Sequence, residues 1–150
     1  MLAMPLSNAL YDQDFYAWAN TQADLLRSGK LAEADIENIA EEIQSMGRSE
    51  KRELVSRLEI LLLHLLKWHH QQSFQSRSWE LTIKEQRAKL RNHLRDNPSL
   101  RPKIPECFEE AYANALYEAE RETGLASKTF PDKCIWTIDD ALAQDWLPPD

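Results

Sequence analysis

The sequence predicts an all-α protein, a bundle of four to five helices around one long central helix, and three observations carry that reading. Apolar residues recur at spacings of three and four along most of the chain. Only 3 of 150 residues are glycine, too few for the tight turns of a sandwich or small barrel. No segment alternates between apolar and polar for long enough to be a half-buried strand. At this length the expectation is a single helical domain over 1–150, with a short N-terminal arm (1–10) and an extended tail leading to a short last helix (128–150).

The first helix is expected over 12–28. Phe15, Trp18, Ala19, Gln22, Leu25 and Leu26 form its stripe. The Asp12 carboxylate can accept from the free amides of the first turn, and Gly29 suits a left-handed stop. The second helix is the spine, about 35–72, with Asp35 as its cap. At 100° per residue, Ile36, Ile39, Ala40, Ile43, Gly47, Glu50, Leu54, Arg57, Leu58, Leu61, Leu65 and Trp68 share one arc about 100° wide. Because the phase survives the polar stretch 47–53, one rod of about 57 Å is preferred over a break at Gly47. Leu62, Leu63 and Leu66 widen the arc after residue 60, so that half should be buried on more than one side.

A third helix is expected over 78–96, capped by Ser78, with Trp79, Ile83, Leu90 and Leu94 inward and Pro98 beyond its end. A fourth runs over 103–123, with Pro102 or Pro105 in its first turn, Phe108, Tyr112, Ala115 and Ala119 as its stripe and Gly124 as its stop. Thr137 with Asp140 resembles a capping box for a last helix at 138–145.

Charge narrows the function classes. With 18 basic and 25 acidic side chains the net charge is −7, which argues against a globally basic nucleic-acid binder. The distribution is uneven: residues 1–50 carry net −6 and 104–150 net −8, whereas 77–103 carry net +5. Cys107 and Cys134 are too few for a disulfide framework or a closed zinc site and read as free thiols of a reducing cytoplasm. The N-terminus lacks the basic start of a signal peptide. The apolar run Ile60–Leu66 is far short of the ~20 residues needed to span a membrane.

Four constellations could carry chemistry. Glu50, Arg57 and His64 lie seven apart along the spine, where apolar groups are expected. Buried there, they must pair with one another or with neighbouring helices, either to fix register or to form an acid/base site. Gly47 on the same arc would let another helix approach closely. Lys67–Trp68 and Arg77–Ser78–Trp79 gather cations and indoles at one corner, where Arg77 could stack on a ring. Lys84, Arg87, Arg91 and Arg95 share one face of the third helix and could track phosphates, be solvated, or pair with the acidic fourth helix at Glu106, Glu109, Glu110 and Glu118. The histidines lack metal-ligand spacing: His64 stands five and six residues before His69 and His70, and no Glu-x-x-His pair occurs. No metal and no cofactor is expected, and His69–His70 is expected to mark the wet end of the spine. No phosphate-binding glycine loop or nucleophile elbow is present.

The segments YDQDFYAWANTQADLLRSG, DIENIAEEIQSMGRSEKREL, SRLEILLLHLLKW, SRSWELTIKEQR, NPSL and TFPDKCIWTIDDAL, in that order from about Leu10 to Leu147, resemble the bacterial proteins grouped as domain of unknown function 29. The pairing of EEI-x-x-MG-x-x-E with LL-x-HLLKW is the specific part, and Trp18, Glu41, Glu42, Gly47, Glu50, Leu54, His64, Lys67, Trp68, Ser78, Trp79 and Arg87 match the pattern. His69 and His70 depart from it. The resemblance implies a small soluble helical protein and brings no reaction, ligand or functional residue with it.

The leading expectation is a non-enzymatic, protein-interaction or regulatory module whose partner is another protein or a second copy of itself. The binding candidates are Glu50, Arg57, His64, Lys67, Trp68, Arg77, Trp79 and Arg87. Nucleic-acid association through the basic face and an enzyme using Glu50, Arg57 and His64 are the competing readings.

Overall fold

The computed structural model describes the backbone of residues 6–150 and the side chains of residues 9–150. Its described residues are all-α, with six α-helices and short 3-10 turns. Part of the expected N-terminal arm, 1–5, lies outside the described residues, and the remainder is helical.

The first expected helix is two helices, α1 (Leu6–Gln13) and α2 (Phe15–Arg27). The break falls at Asp14, whose non-helical backbone (φ −152°, ψ 84°) frees its carboxylate to accept from Ala17 N at 3.1 Å. Asp14, not Asp12, is therefore the cap: a capping side chain must sit outside helical geometry to reach the amides ahead of it. Gly29, at φ +72°, makes the expected left-handed turn. The spine is α3 (Ile36–His70). The carbonyl of Asp35 accepts from Ile39 N, opening the helix, while its side chain is used elsewhere. Gly47 does not interrupt it.

α4 (Arg77–Asp96) is capped by Ser76, whose hydroxyl accepts from Trp79 N, rather than by Ser78. Ser78 already lies in the first turn, where its carbonyl accepts from Thr82 Oγ1. α5 (Ile104–Thr123) starts with Pro105 and ends at Gly124, φ +71°. A five-residue α6 (Ile138–Leu142) starts at Thr137, whose hydroxyl accepts from Asp140 N at 3.0 Å.

The chain divides into two compact units, Met1–Ser49 and Glu50–Asp150. In the first, α1 packs on α2, and Tyr11, Phe15 and Trp18 form an aromatic cluster with centroids 4.8–5.9 Å apart. Trp18 is buried beside Gln22 and Asp35. Its indole N–H donates to Asp35 Oδ2 at 3.0 Å, Asn38 donates to the same oxygen at 2.8 Å, and Asp35 N donates to Gln22 Oε1 at 2.7 Å. Tyr11 donates to Glu42 at 2.5 Å, and this carboxylate pushes the phenol up to about 12.

The second unit holds a dry core. Leu54, Leu58, Leu61, Leu62, Leu65 and Leu66 of α3 meet Ile83, Leu90 and Leu94 of α4 and Cys107, Phe108, Ala111, Ala115 and Ala119 of α5. The tail closes the core with Phe130 and Ala141, and Tyr112 ties it down by donating to Pro131 O at 2.6 Å.

Candidate functional site

The long helix carries two unlike surfaces. From Leu54 to Leu66 its arc is buried, as its width predicts. From Ile36 to Gly47 the same arc is largely exposed: Ile36 is 50% exposed and Ile43 58%, Ala40 and Gly47 are exposed and Ile39 is half-buried, with Met46, beside the arc, 61% exposed. A Cβ added at Gly47 would meet nothing within 4 Å. Phe15, Tyr16, Leu26 and Leu31 add further exposed apolar groups to the first unit.

Glu50, Arg57 and His64 do not form the expected buried line. Glu50 is half-exposed and faces His93 of α4. Arg57 donates to Glu53 Oε1 and Gln86 Oε1, both at 3.4 Å. His64 places Nδ1 2.8 Å from Ile60 O, one turn back on its own helix. A seven-residue step drifts on a 3.6-residue helix, so the trio walks off the leucine seam toward its edges. Burial pushes the His64 imidazole below its ordinary value, despite the Ile60 carbonyl.

At the expected corner, Lys67 rather than Arg77 lies over the Trp79 ring, 4.7 Å from its centroid, and also meets Glu122 at 2.9 Å. Arg77 is exposed. Trp68 packs partly against the core, and its carbonyl accepts from Gln75 Nε2 at 3.0 Å.

The basic row is interrupted at Arg87. This side chain is 4% exposed and donates through Nε to Ala141 O at 2.9 Å and through Nη1 to Gln144 O at 3.3 Å, while Nη2 has no partner among the described residues. Burial pushes its pKa down, opposed by Asp145. It lines a cleft of ≈ 280 Å3 with Lys84, Arg91 and Asp145. Among the described residues no ion pair joins the row to α5: Glu106 instead meets Lys51 at 2.9 Å and Lys103 at 3.8 Å, and Glu118 meets Arg121.

His69 and His70 are half-buried, not wet. His69 packs edge-on against Trp136 and His70 against Phe130, at 5.9 and 5.0 Å. Burial, and then the neighbouring His69, push the His70 imidazole down. The tail residues that cover the pair were not assigned to it from sequence, because covering is a tertiary fact.

One grouping was missed outright. Glu50 and Glu53, one turn apart on α3, converge on His93 of α4, and the three ligand-type atoms lie within 4.8 Å of one another. His93 Nδ1 is 3.6 Å from Glu50 Oε2 and 3.5 Å from Glu53 Oε2, while Nε2 is 2.8 Å from Glu50 O. The expectation of no metal site rests on cysteine count, histidine spacing and the lack of a Glu-x-x-His pair, none of which can see ligands brought together by two helices. These are the residues that could hold a cation. They line a cleft of ≈ 460 Å3.

A family model described as Domain of unknown function DUF29 matches residues 10–147, nearly the whole chain. No curated protein and no solved structure matches it. No helix among the described residues is long and apolar enough to cross a membrane.

Proposed function

We propose, from the premise that the chain belongs to the family Domain of unknown function DUF29, that it is a non-enzymatic module that binds another protein through the first half of α3. The observation that carries this reading is the group of exposed apolar side chains Ile36, Ile43 and Met46 on the first half of α3, with exposed Ala40 and half-buried Ile39 among them. Exposed apolar groups on successive turns of one helix face favour association, since contact removes their surface from water. Gly47 at the end of the stripe leaves room for a second backbone.

The chemistry of the occupant follows from charge. Glu37 and Glu41 flank the stripe, Glu41 paired with Arg48 at 2.7 Å, and residues 1–50 as a whole carry net −6. A second copy would bring the same acidic surface and be repelled, whereas a basic amphipathic helix would meet opposite charge at its rim and apolar groups at its centre. The partner therefore presents a cationic amphipathic segment.

A photo-crosslinking residue placed at Ile43, with Tyr117 of α5 as the control position, tests this in cells that make the protein. The expected outcome is an adduct at position 43 alone, with a partner whose crosslinked segment is basic and amphipathic. With that partner purified, Ile43→Asp should weaken binding by more than about tenfold, a loss of ~1.4 kcal/mol or more. Adducts confined to a second copy would replace the basic partner with self-association. Equal labelling at 43 and 117 would contradict the reading.

A further inference from the structure

We propose that Glu50, Glu53 and His93 form a binding site for a divalent transition cation of the zinc class. A backbone carbonyl can only accept, so the contact of His93 Nε2 with Glu50 O at 2.8 Å puts the neutral imidazole's proton on Nε2. Nδ1 then presents a bare lone pair, and it points at two carboxylates. Three electron-rich groups converging on one point need positive charge between them.

Distance decides what kind. A protonated ring bonded to a carboxylate holds N···O at ~2.7–2.9 Å. The observed 3.5 and 3.6 Å are too long for that bond to either partner. Two ligands each ~2.0–2.1 Å from one zinc ion, at angles of roughly 110–120°, stand ~3.3–3.6 Å apart. The two nitrogen–oxygen spacings suit an ion between the ring and each carboxylate, and the carboxylates, which with the ring lie within 4.8 Å of one another, would close on it.

The surroundings fit the same reading. The Nε2 contact is the outer hydrogen bond that metal-bound histidines ordinarily make, and it fixes the ring's orientation. His93 is 8% exposed, so the ring is held by packing, while both carboxylates face the cleft and leave room for water on the ion. His93 sits in the last turn of α4, where the carbonyl end of the helix favours a cation. Arg57 uses Glu53 Oε1 and leaves Oε2 to the site. Arg57, Lys89 and Asp96 are the other charged groups in the cleft. Lys89 is paired with Glu85 at 2.7 Å, so the net field remains negative. An imidazole with two carboxylates suits zinc, cobalt or manganese better than magnesium, which prefers an all-oxygen shell.

The test is titration of the purified full chain with cobalt chloride, read by visible absorption, and with zinc chloride, read by calorimetry, with magnesium chloride in parallel. The expected result is one cobalt or zinc ion per chain and no comparable magnesium binding. Glu53→Gln and Glu50→Gln, both half-exposed and so able to fold, should each weaken binding about tenfold or more. His93→Ala should abolish it, and His69→Gln should leave it unchanged. No stoichiometric cobalt or zinc uptake by the wild-type chain, uptake unaffected by Glu53→Gln, or magnesium binding of equal strength would overturn the proposal.

Discussion

The two compact units are built on opposite principles. In Glu50–Asp150 the interior is a dry cluster of leucines, small α5 residues and aromatic tail side chains. In Met1–Ser49 the buried side chains described are one indole, one amide and one carboxylate: Trp18, Gln22 and Asp35. The first principle gives bulk stability through area removed from water. The second gives direction, because each buried polar group is worth little net and is costly only when its partner is lost. One helix, α3, contributes to both, with all of its fully buried leucines after residue 53. Amphipathic periodicity can therefore continue unbroken through a region where the described residues leave most of the apolar face exposed.

The largest effect that sharpens this contrast is in the leucine core. Leu61→Ala should cost ~2–5 kcal/mol in urea unfolding, by lost burial and a residual cavity. Ile43→Ala, on the exposed part of the same arc, should stay within ~0.5 kcal/mol. Comparable losses would mean the stripe is covered after all. Next in size is Asp35→Ala. It strands the Trp18 indole N–H and the Asn38 amide, and should cost ~1–3 kcal/mol, read as lost amide protection in residues 18–39. Gly47→Ala should stabilise by ~1 kcal/mol, because the site is helical, open and free of positive φ. The same change should weaken the partner contact if a second helix crosses there.

The smallest expected effect is a pH dependence confined to the second unit. Burial sets the His64 and His70 pKa values in the folded chain below the ordinary 6.5. The unfolded chain therefore binds more protons between those depressed values and 6.5, and stability rises with pH across that window. It should be fully present above about pH 7 and fall as the pH drops below 6.5. His64→Gln should flatten the profile between pH 7.5 and 5.5 in parallel thermal melts. An unchanged slope would remove the burial argument for His64.

Much of the fold was legible in the sequence because it rests on local signals. The α3 stripe, the stops at Gly29 and Gly124 and the Thr137 cap each depend on a few neighbouring residues. The errors share a cause. Asp12 against Asp14 and Ser78 against Ser76 are two-residue shifts in choosing among adjacent capping side chains, which tertiary packing arbitrates. The Glu50–Arg57–His64 line failed because a heptad step drifts on a straight helix. The Glu50–Glu53–His93 cluster was invisible for a different reason. It needs the antiparallel register of α3 against α4, in which Glu50 meets His93 and, seven residues further along α3, Arg57 meets Gln86. No single-helix pattern encodes that register. The exposure of Ile36 and Ile43 was not legible, since periodicity reports which face is apolar and not whether anything lies against it.

Native-state hydrogen exchange along α3 tests the central contrast most directly, since one continuous helix supplies both samples. Amides of Leu58–Leu66 should exchange only through global unfolding and share one opening free energy. Those of Ile39–Met46 should exchange through smaller openings, at least about tenfold faster, until a partner binds. Uniform protection from residue 39 to residue 66 in the isolated chain would contradict the account.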